Sequence, residues 1–238
     1  MKNDTEKNFF INNPIFVKYK KKFDFSKLKT QQTLKSVNIN ERIVEIPFAI
    51  QAVAGLSKGA KILDLGCTES PLPLQLSALG YAVTGFDFRE YPYRHPNLTF
   101  VQGDMTKLPF EDARFDAILS ISTLEHVGIG FYADPQEVEQ ADKKAMAEVI
   151  RVLKPGGIFV LTAPYGVKAQ TGHQRIYDQK GLEDLFGALT VQERRYFKSD
   201  TLSGADCNSW VEADQEEAAA IASPKSTACV CLVVGKKK

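Results

Sequence analysis

The sequence predicts an α/β fold, a mostly parallel sheet with helices over both faces. Three observations carry that expectation. Five short apolar runs alternate with helical or turn-rich stretches along most of the chain. The runs are apolar with few interruptions, the mark of strands buried on both sides. The first two end at an acid, Asp64 and Asp87, twenty-three residues apart, which is the length of one βαβ unit.

Residues 1 to about 40 are polar and rich in Lys and Asn, with aromatics at Phe9, Phe10, Phe16, Tyr19, Phe23 and Phe25. They read as an irregular or helical cap that lays aromatics over the domain, and 1–55 is taken as this extension. Ile43, Ile46, Phe48, Ile50 and Val53 predict a helix ending near Gly55, with Pro47 a point of restart. The main domain is 56–238. Its first strand is Lys61 to Leu65, followed by a helix from about Pro71 to Leu79 with Ser70 as N-cap. Further strands run Ala82 to Phe86, Leu98 to Gln102 and Phe115 to Ile121. A long helix from about Glu137 to Leu153 stops at Lys154-Pro-Gly-Gly157, and a strand over Ile158 to Thr162 follows. Toward the end, Leu189 to Tyr196 and Thr227 to Val234 read as two strands flanking a helical insert around Trp210 to Ile221.

Lys and Arg number 30 against 29 Asp and Glu, so the formal charge is +1 and no overall field recruits nucleic acid or anionic membrane. Local basic clusters, Lys18-Tyr-Lys-Lys-Lys22 and the terminal Lys236-Lys-Lys238, read as solvated. Four cysteines without zinc spacing or a CxxC pair fit free thiols in a reducing compartment. No apolar run reaches a membrane span of about 18 residues. The expectation is a soluble cytoplasmic protein that acts on a small molecule, with neither membrane nor nucleic acid as partner.

The chemistry concentrates at Asp64-Leu-Gly-Cys-Thr-Glu-Ser-Pro71 and Gly85-Phe-Asp-Phe88. A tight turn after one strand and an acid after the next suit an adenosine-bearing ligand, the acid reaching ribose hydroxyls. A dinucleotide needs glycines against its pyrophosphate. Here Glu69 would repel it and Pro71 removes an amide donor, so a nicotinamide cofactor is disfavoured. A cationic ligand meets no such objection.

This turn resembles motif I of the class I S-adenosylmethionine-dependent methyltransferases, acid-x-Gly-x-Gly-x-Gly. Asp64 and Gly66 match, while Thr68 and Ser70 replace the later glycines. Gly103-Asp104-Met105, Leu108-Pro-Phe110 with Phe115-Asp116, Ser120-Ile-Ser-Thr-Leu-Glu-His-Val127 and Val149-Ile-Arg-Val-Leu-Lys-Pro-Gly-Gly157 resemble later segments of the family, in order. The resemblance covers about residues 60–165, more loosely to 235. It implies a Rossmann-like three-layer sandwich whose mostly parallel, seven-stranded sheet closes with an antiparallel edge hairpin. It implies S-adenosylmethionine as cofactor, with Asp64, Gly66, Cys67 and Thr68 around its amino-acid part. Asp87 and Phe88 would then meet the ribose and adenine, Asp104 and Met105 the adenine, and Ile121, through its backbone, the methionine part.

His126 and His173 are the candidate catalytic residues. An imidazole beside the methyl site can take a proton from an attacking hydroxyl. The loop Gly172-His-Gln-Arg-Ile-Tyr177 offers donors to a hydroxylated or anionic substrate. His173 is the favoured acceptor-side group, and His126 is nearer the cofactor. Glu125, His126 and His173 could instead hold a divalent metal, as in small-RNA 2′-O-methyltransferases, but the leading reading requires no metal. Similarity to bacterial methyltransferases associated with surface-sugar modification makes O-methylation of a sugar or comparable hydroxyl the lead function. A methyltransferase-fold binding or regulatory module without turnover is the alternative class.

Overall fold

The computed structural model describes residues 40–130, 140–201, 208–223 and 227–238. Residues 1–39 of the expected N-terminal cap with its basic cluster, Cys207 and the start of the helix from Glu137 lie outside the described residues.

Helix α1 (Arg42–Val53) precedes β1 (Lys61–Leu65), α2 (Leu72–Ala78), β2 (Ala82–Asp87), β3 (Leu98–Gln102) and β4 (Phe115–Ile121). Helix α3 (Ala141–Val152), β5 (Leu153–Pro164), a small hairpin of β6 (Ala169–Gln170) and β7 (Arg175–Ile176), and α4 (Gln179–Phe186) follow. The chain then forms β8 (Leu189–Thr201), β9 (Asn208–Ala213), α5 (Gln215–Ala219) and β10 (Cys229–Lys237). Eight strands make the main sheet in the order β3-β2-β1-β4-β5-β10-β8-β9. The five strands from β3 to β5 are parallel, and β10, β8 and β9 each run antiparallel to the preceding neighbour.

Side-chain alternation divides the core between the sheet's two faces. Ile62, Val83, Leu119 and Val160 face the cluster that holds Phe48 and Val53 of α1 with Leu72 and Leu76 of α2. Leu63, Ile118, Phe159 and Leu161 face the opposite cluster, with Met146 and Val149 of α3 and Leu182 and Leu185 of α4. Helices on both faces therefore cover a sheet whose central strands are almost wholly buried, the Rossmann-like sandwich expected. Helix α1 belongs to the same compact unit as the sheet, Asn38–Lys238.

Three local readings change. Trp210–Ala213, expected to open the helical insert, belongs to β9, which pairs with β8 as an eighth strand, and only the short α5 is helical. The adjacent Trp210 and Val211, aromatic and β-branched, suit a strand. The Lys154–Gly157 stretch lies inside β5: Leu153 pairs with Phe115 and Ile158 with Ala117, so the intervening residues bulge. Gly156 supplies the positive φ of +73° there. Helix α4 is an addition, started by Asp178, whose carboxylate accepts the Gly181 N–H at 2.7 Å. Among the described residues no helix is long and apolar enough to cross a membrane.

Candidate active site

In strand order β2-β1-β4, β1 is the point where successive connections diverge to opposite sides. Ligands of open α/β sheets sit at the carboxyl ends of strands at such a point. A cavity of about 400 Å³ occurs there, within the range of small-molecule and cofactor sites.

Gly66 makes the turn out of β1, with φ 74° and ψ 41°. A Cβ on it would stand 2.1 Å from Thr123 Cγ2, so both conformation and space demand glycine. A tight turn, Cys67–Glu69, follows. Asp87, at the end of β2, draws this turn in. One carboxylate oxygen accepts the Thr68 N–H and the other the Arg89 N–H, both at 3.0 Å. Helix α2 starts one residue later than expected, with Pro71 at its N-cap, and the Ser70 hydroxyl accepts the Leu72 N–H at 3.1 Å from just outside it. Glu69 is paired with Arg89 at 2.6 Å, and the guanidinium also lies 5.5 Å from the centre of the Phe88 ring.

Gly66, Asp87, Phe88, Asp104 and Met105 all line the cavity. Asp104 is exposed at the rim and accepts both the amide and the hydroxyl of Thr106 at 2.8 Å. Asp64, Cys67, Thr68 and Ile121 support the wall from behind. Asp64 is buried beneath the turn, its Oδ2 without a hydrogen-bond partner, and burial pushes its pKa up to about 8. Cys67 is buried against Gly85, where a Cβ would come within 2.9 Å of its sulfur. Ile121 contributes its carbonyl to Arg42 at 2.7 Å.

The opposite end of the cavity begins at Ser122, held at φ +42°. Its hydroxyl donates to Glu45 at 2.6 Å, and Glu45 also pairs with Arg42 at 3.0 Å. Glu45 is fully buried on α1, and burial raises its pKa against the pull of Arg42. The turn Leu124–His126 carries Glu125 and His126 into the cavity wall. His126 Nδ1 meets the His173 carbonyl oxygen, so Nδ1 carries the hydrogen and Nε2 the lone pair. Nε2 lies 3.8 Å from Glu125 Oε1. Desolvation lowers the His126 pKa and raises that of Glu125 to about 8, so near neutral pH the imidazole is uncharged and the carboxyl protonated.

The two predicted histidines therefore differ in placement. His126 lines the cavity, whereas His173 reaches it through its main-chain carbonyl, with its ring beside Thr171 Oγ1 at 3.2 Å. Arg175 reinforces the link by donating to the Val127 carbonyl at 2.7 Å and the Glu125 carbonyl at 3.4 Å. Because the His173 ring faces Thr171, its imidazole does not join Glu125 and His126 as a ligand set. Among the described residues no group of three His, Cys, Asp or Glu is placed to hold a metal.

Sequence reasoning missed Arg42, Glu45, Arg89 and Gln174. Glu45 had a signal: it shares the helical face of Phe48, Ala49 and Val53, where an acid must find a partner. Gln174 lies in the 172–177 loop that the sequence marked as the acceptor side, but its own side chain was not singled out.

Residues 63–161 match the family described as a methyltransferase domain. A sterol 24-C-methyltransferase of Gibberella zeae is 33% identical over 117 residues, 44% of this chain and 28% of that protein. An S-adenosylmethionine-dependent methyltransferase of Mycolicibacterium smegmatis, its assignment given as probable, is 26% identical over 127 residues, 51% of this chain and 45% of that protein. Over residues 63–161 the chain carries a methyltransferase domain of the S-adenosylmethionine-dependent kind. It spans less than half the length of either curated relative. In fold it is similar to the 1,6-didemethyltoxoflavin-N1-methyltransferase of Burkholderia thailandensis, solved with S-adenosylhomocysteine (TM-score 0.57, 16% identity, 100% of this chain and 92% of that one).

S-adenosylmethionine is the cofactor of this domain, and the cavity suits it. A glycine turn that admits no Cβ, an acid at the end of β2, and two apolar side chains, Phe88 and Met105, surround one space.

Proposed function

We propose that the protein methylates a hydroxyl of a small molecule, a sugar or a similar polyol, at the end of the cavity lined by His126. The observation that supports this most is the tautomer of His126. A hydroxyl must lose a proton as its oxygen takes the methyl group, and a neutral imidazole with its Nε2 lone pair in the cavity wall can receive it. Burial, by keeping the ring uncharged, keeps it ready for that task.

In this reading the bound cofactor supplies a methyl group already activated by its positive sulfur. The chain supplies alignment and a dry site. Gly66 lets the backbone approach the amino-acid part, with Asp64 beneath the turn and Cys67 and Thr68 shaping it. Asp87 retains lone pairs toward the ribose after accepting the Thr68 and Arg89 amides. Phe88, Asp104 and Met105 form the adenine end, and Ile121 the methionine wall. Residues 56–238 would be the methyltransferase domain, with the preceding stretch as its cap. His173 acts through its carbonyl as a positioning residue for His126.

The test is calorimetric titration with S-adenosylhomocysteine, followed by transfer of labelled methyl from S-adenosylmethionine to sugars and their glycosides. Cofactor binding with transfer to a hydroxyl supports the proposal. Transfer only to amine nitrogen removes the O-methylation reading, and binding without turnover on any of these acceptors favours the binding or regulatory module.

A further inference from the structure

Two residues that line the cavity bury a polar atom without a hydrogen-bond partner: Glu125 at Oε2 and Gln174 at Nε2. The residues are 1% and 4% exposed. Folded proteins leave few such atoms, because each has given up water for nothing. Two at one end of one cavity point to a ligand that completes them.

Both side chains are held in place. Gln174 is anchored through its main chain, its N–H donating to Thr171 Oγ1 at 3.1 Å and its carbonyl accepting the Thr171 N–H at 2.8 Å. Thr227 donates to its Oε1 at 3.3 Å, so the carboxamide turns its NH₂ away from Thr227. Glu125 sits on the turn braced by Arg175, with Oε1 3.8 Å from His126 Nε2. Gln174 follows directly on His173, whose carbonyl fixes His126. The two unpartnered atoms thus belong to residues next in sequence to the two partners of the His126–His173 contact, Glu125 before His126 and Gln174 after His173.

We propose that Glu125 and Gln174 form a two-point grip on the acceptor, receiving a hydroxyl adjacent to the one presented to His126, so that the site selects vicinal diols of the kind carried by a pyranose ring. This rests on the reading of the His126 end as the acceptor end. A carboxamide NH₂ only donates, while a protonated carboxyl both donates and accepts, and a hydroxyl can satisfy either. A ligand whose single hydroxyl is presented to His126 would leave both atoms orphaned, whereas a neighbouring hydroxyl can accept from the Gln174 NH₂ and bond the Glu125 carboxyl at once. Glu125 holds its proton near neutral pH because burial and the neighbouring Glu45 disfavour its charge. A neutral diol therefore fits this end better than a cationic amine, which would look for a carboxylate.

The full chain saturated with S-adenosylhomocysteine is titrated with methyl mannoside, methyl galactoside and methyl glucoside, and with their 2-, 3- and 4-deoxy analogues, by ligand-observed NMR. At least one glycoside should bind saturably, and loss of one of two neighbouring hydroxyls should weaken it about tenfold, the effect of a single hydrogen bond left unmade. Gln174→Leu and Glu125→Gln should weaken the parent glycoside by a similar factor and leave S-adenosylhomocysteine affinity within about twofold. The Gln174→Leu protein should also stop distinguishing the parent from one deoxy analogue. Should Glu125→Gln fail to fold, the deoxy series and Gln174→Leu still decide the matter. If S-adenosylhomocysteine binds and no glycoside does, or if Gln174→Leu discriminates as well as the unaltered protein, the grip is refuted while the methyltransferase reading stands. If S-adenosylhomocysteine itself does not bind, the parent reading falls and the grip with it.

Discussion

The two ends of the cavity are built differently. At the end formed by β1, β2 and β3, the acids are satisfied by nearby main-chain groups: Asp87 by Thr68 and Arg89, Asp104 by Thr106. At the end formed by β4 and the β6–β7 hairpin, contacts span much longer stretches of chain. Arg42 reaches Ile121, His126 meets His173, and Arg175 reaches Val127. The first end is a βαβ unit whose cavity-lining acids are satisfied before any ligand arrives, with only Asp64 Oδ2 beneath the turn left unpartnered. The second leaves Glu125 Oε2 and Gln174 Nε2 unpartnered. A preformed end suits a ligand shared by many enzymes, and an assembled end suits the part that must differ between them.

The sharpest way to break this contrast is His126→Ala. Removal of a general base costs typically about 10²–10⁴-fold in rate, and kcat should fall within that range while calorimetry finds unchanged cofactor affinity. His173→Ala should be far milder, because its main-chain carbonyl survives the substitution. Equal losses in the two variants would mean the His173 ring takes part directly.

Gly66→Ala tests the preformed end. The added Cβ must displace the Thr123 side chain and adopt a left-handed conformation. Overpacking costs about 1–3 kcal/mol and left-handed backbone about 1–2 kcal/mol, so thermal unfolding should shift down and cofactor binding weaken together. Asp87→Ala comes next, with cofactor affinity reduced by roughly 1.5–3 kcal/mol for a charge-assisted bond. Because Asp87 also holds the Thr68 and Arg89 amides, its loss should lower the melting temperature of the ligand-free protein too. Asp87→Ala with full cofactor affinity would show that the acid serves the fold alone.

The smallest effect is in the pH dependence of stability. Asp64 and Glu125 rise to about 8 in the fold from ordinary values of 3.8 and 4.5, chiefly through burial. The folded chain then binds protons more tightly than the unfolded one, so their contribution is complete at acid pH and is lost as pH climbs through about 8. Melting temperature, followed by circular dichroism, should decline between about pH 5 and 8 and level off above. His126, with its pKa lowered by burial, opposes this only by losing stability below its ordinary 6.5. Glu125→Gln should flatten the decline.

Legibility in the sequence follows the same division. Strands β1 and β2, the Gly66 turn and the acid Asp87 sit within twenty-three residues of Asp64, and local pattern suffices to find them. Cys67, Thr68 and Ile121 were marked by position in a motif, and the structure puts them behind the cavity wall. The hairpin of β6 and β7 has strands of two residues each, too short for periodicity to reveal. Its docking on Leu124–His126 depends on a main-chain carbonyl, which carries no side-chain signature. Asn208–Ala213 turned out a strand because β8 offered a partner edge, and tertiary pairing overrides a short segment's own preference.

The placement of β10 bears on how the molecule is made. This last strand lies between β5 and β8, so β8 and β9 can join the sheet only through a segment synthesised after both. Twenty-four residues separate Ala213 from Lys237. At translation speeds of about 5–20 residues per second, the β8–β9 ribbon waits on the order of one to five seconds with an open edge. During that interval the edge of β5 is also unpaired, and the core positions that Val230, Leu232 and Val234 fill in the finished protein stand open.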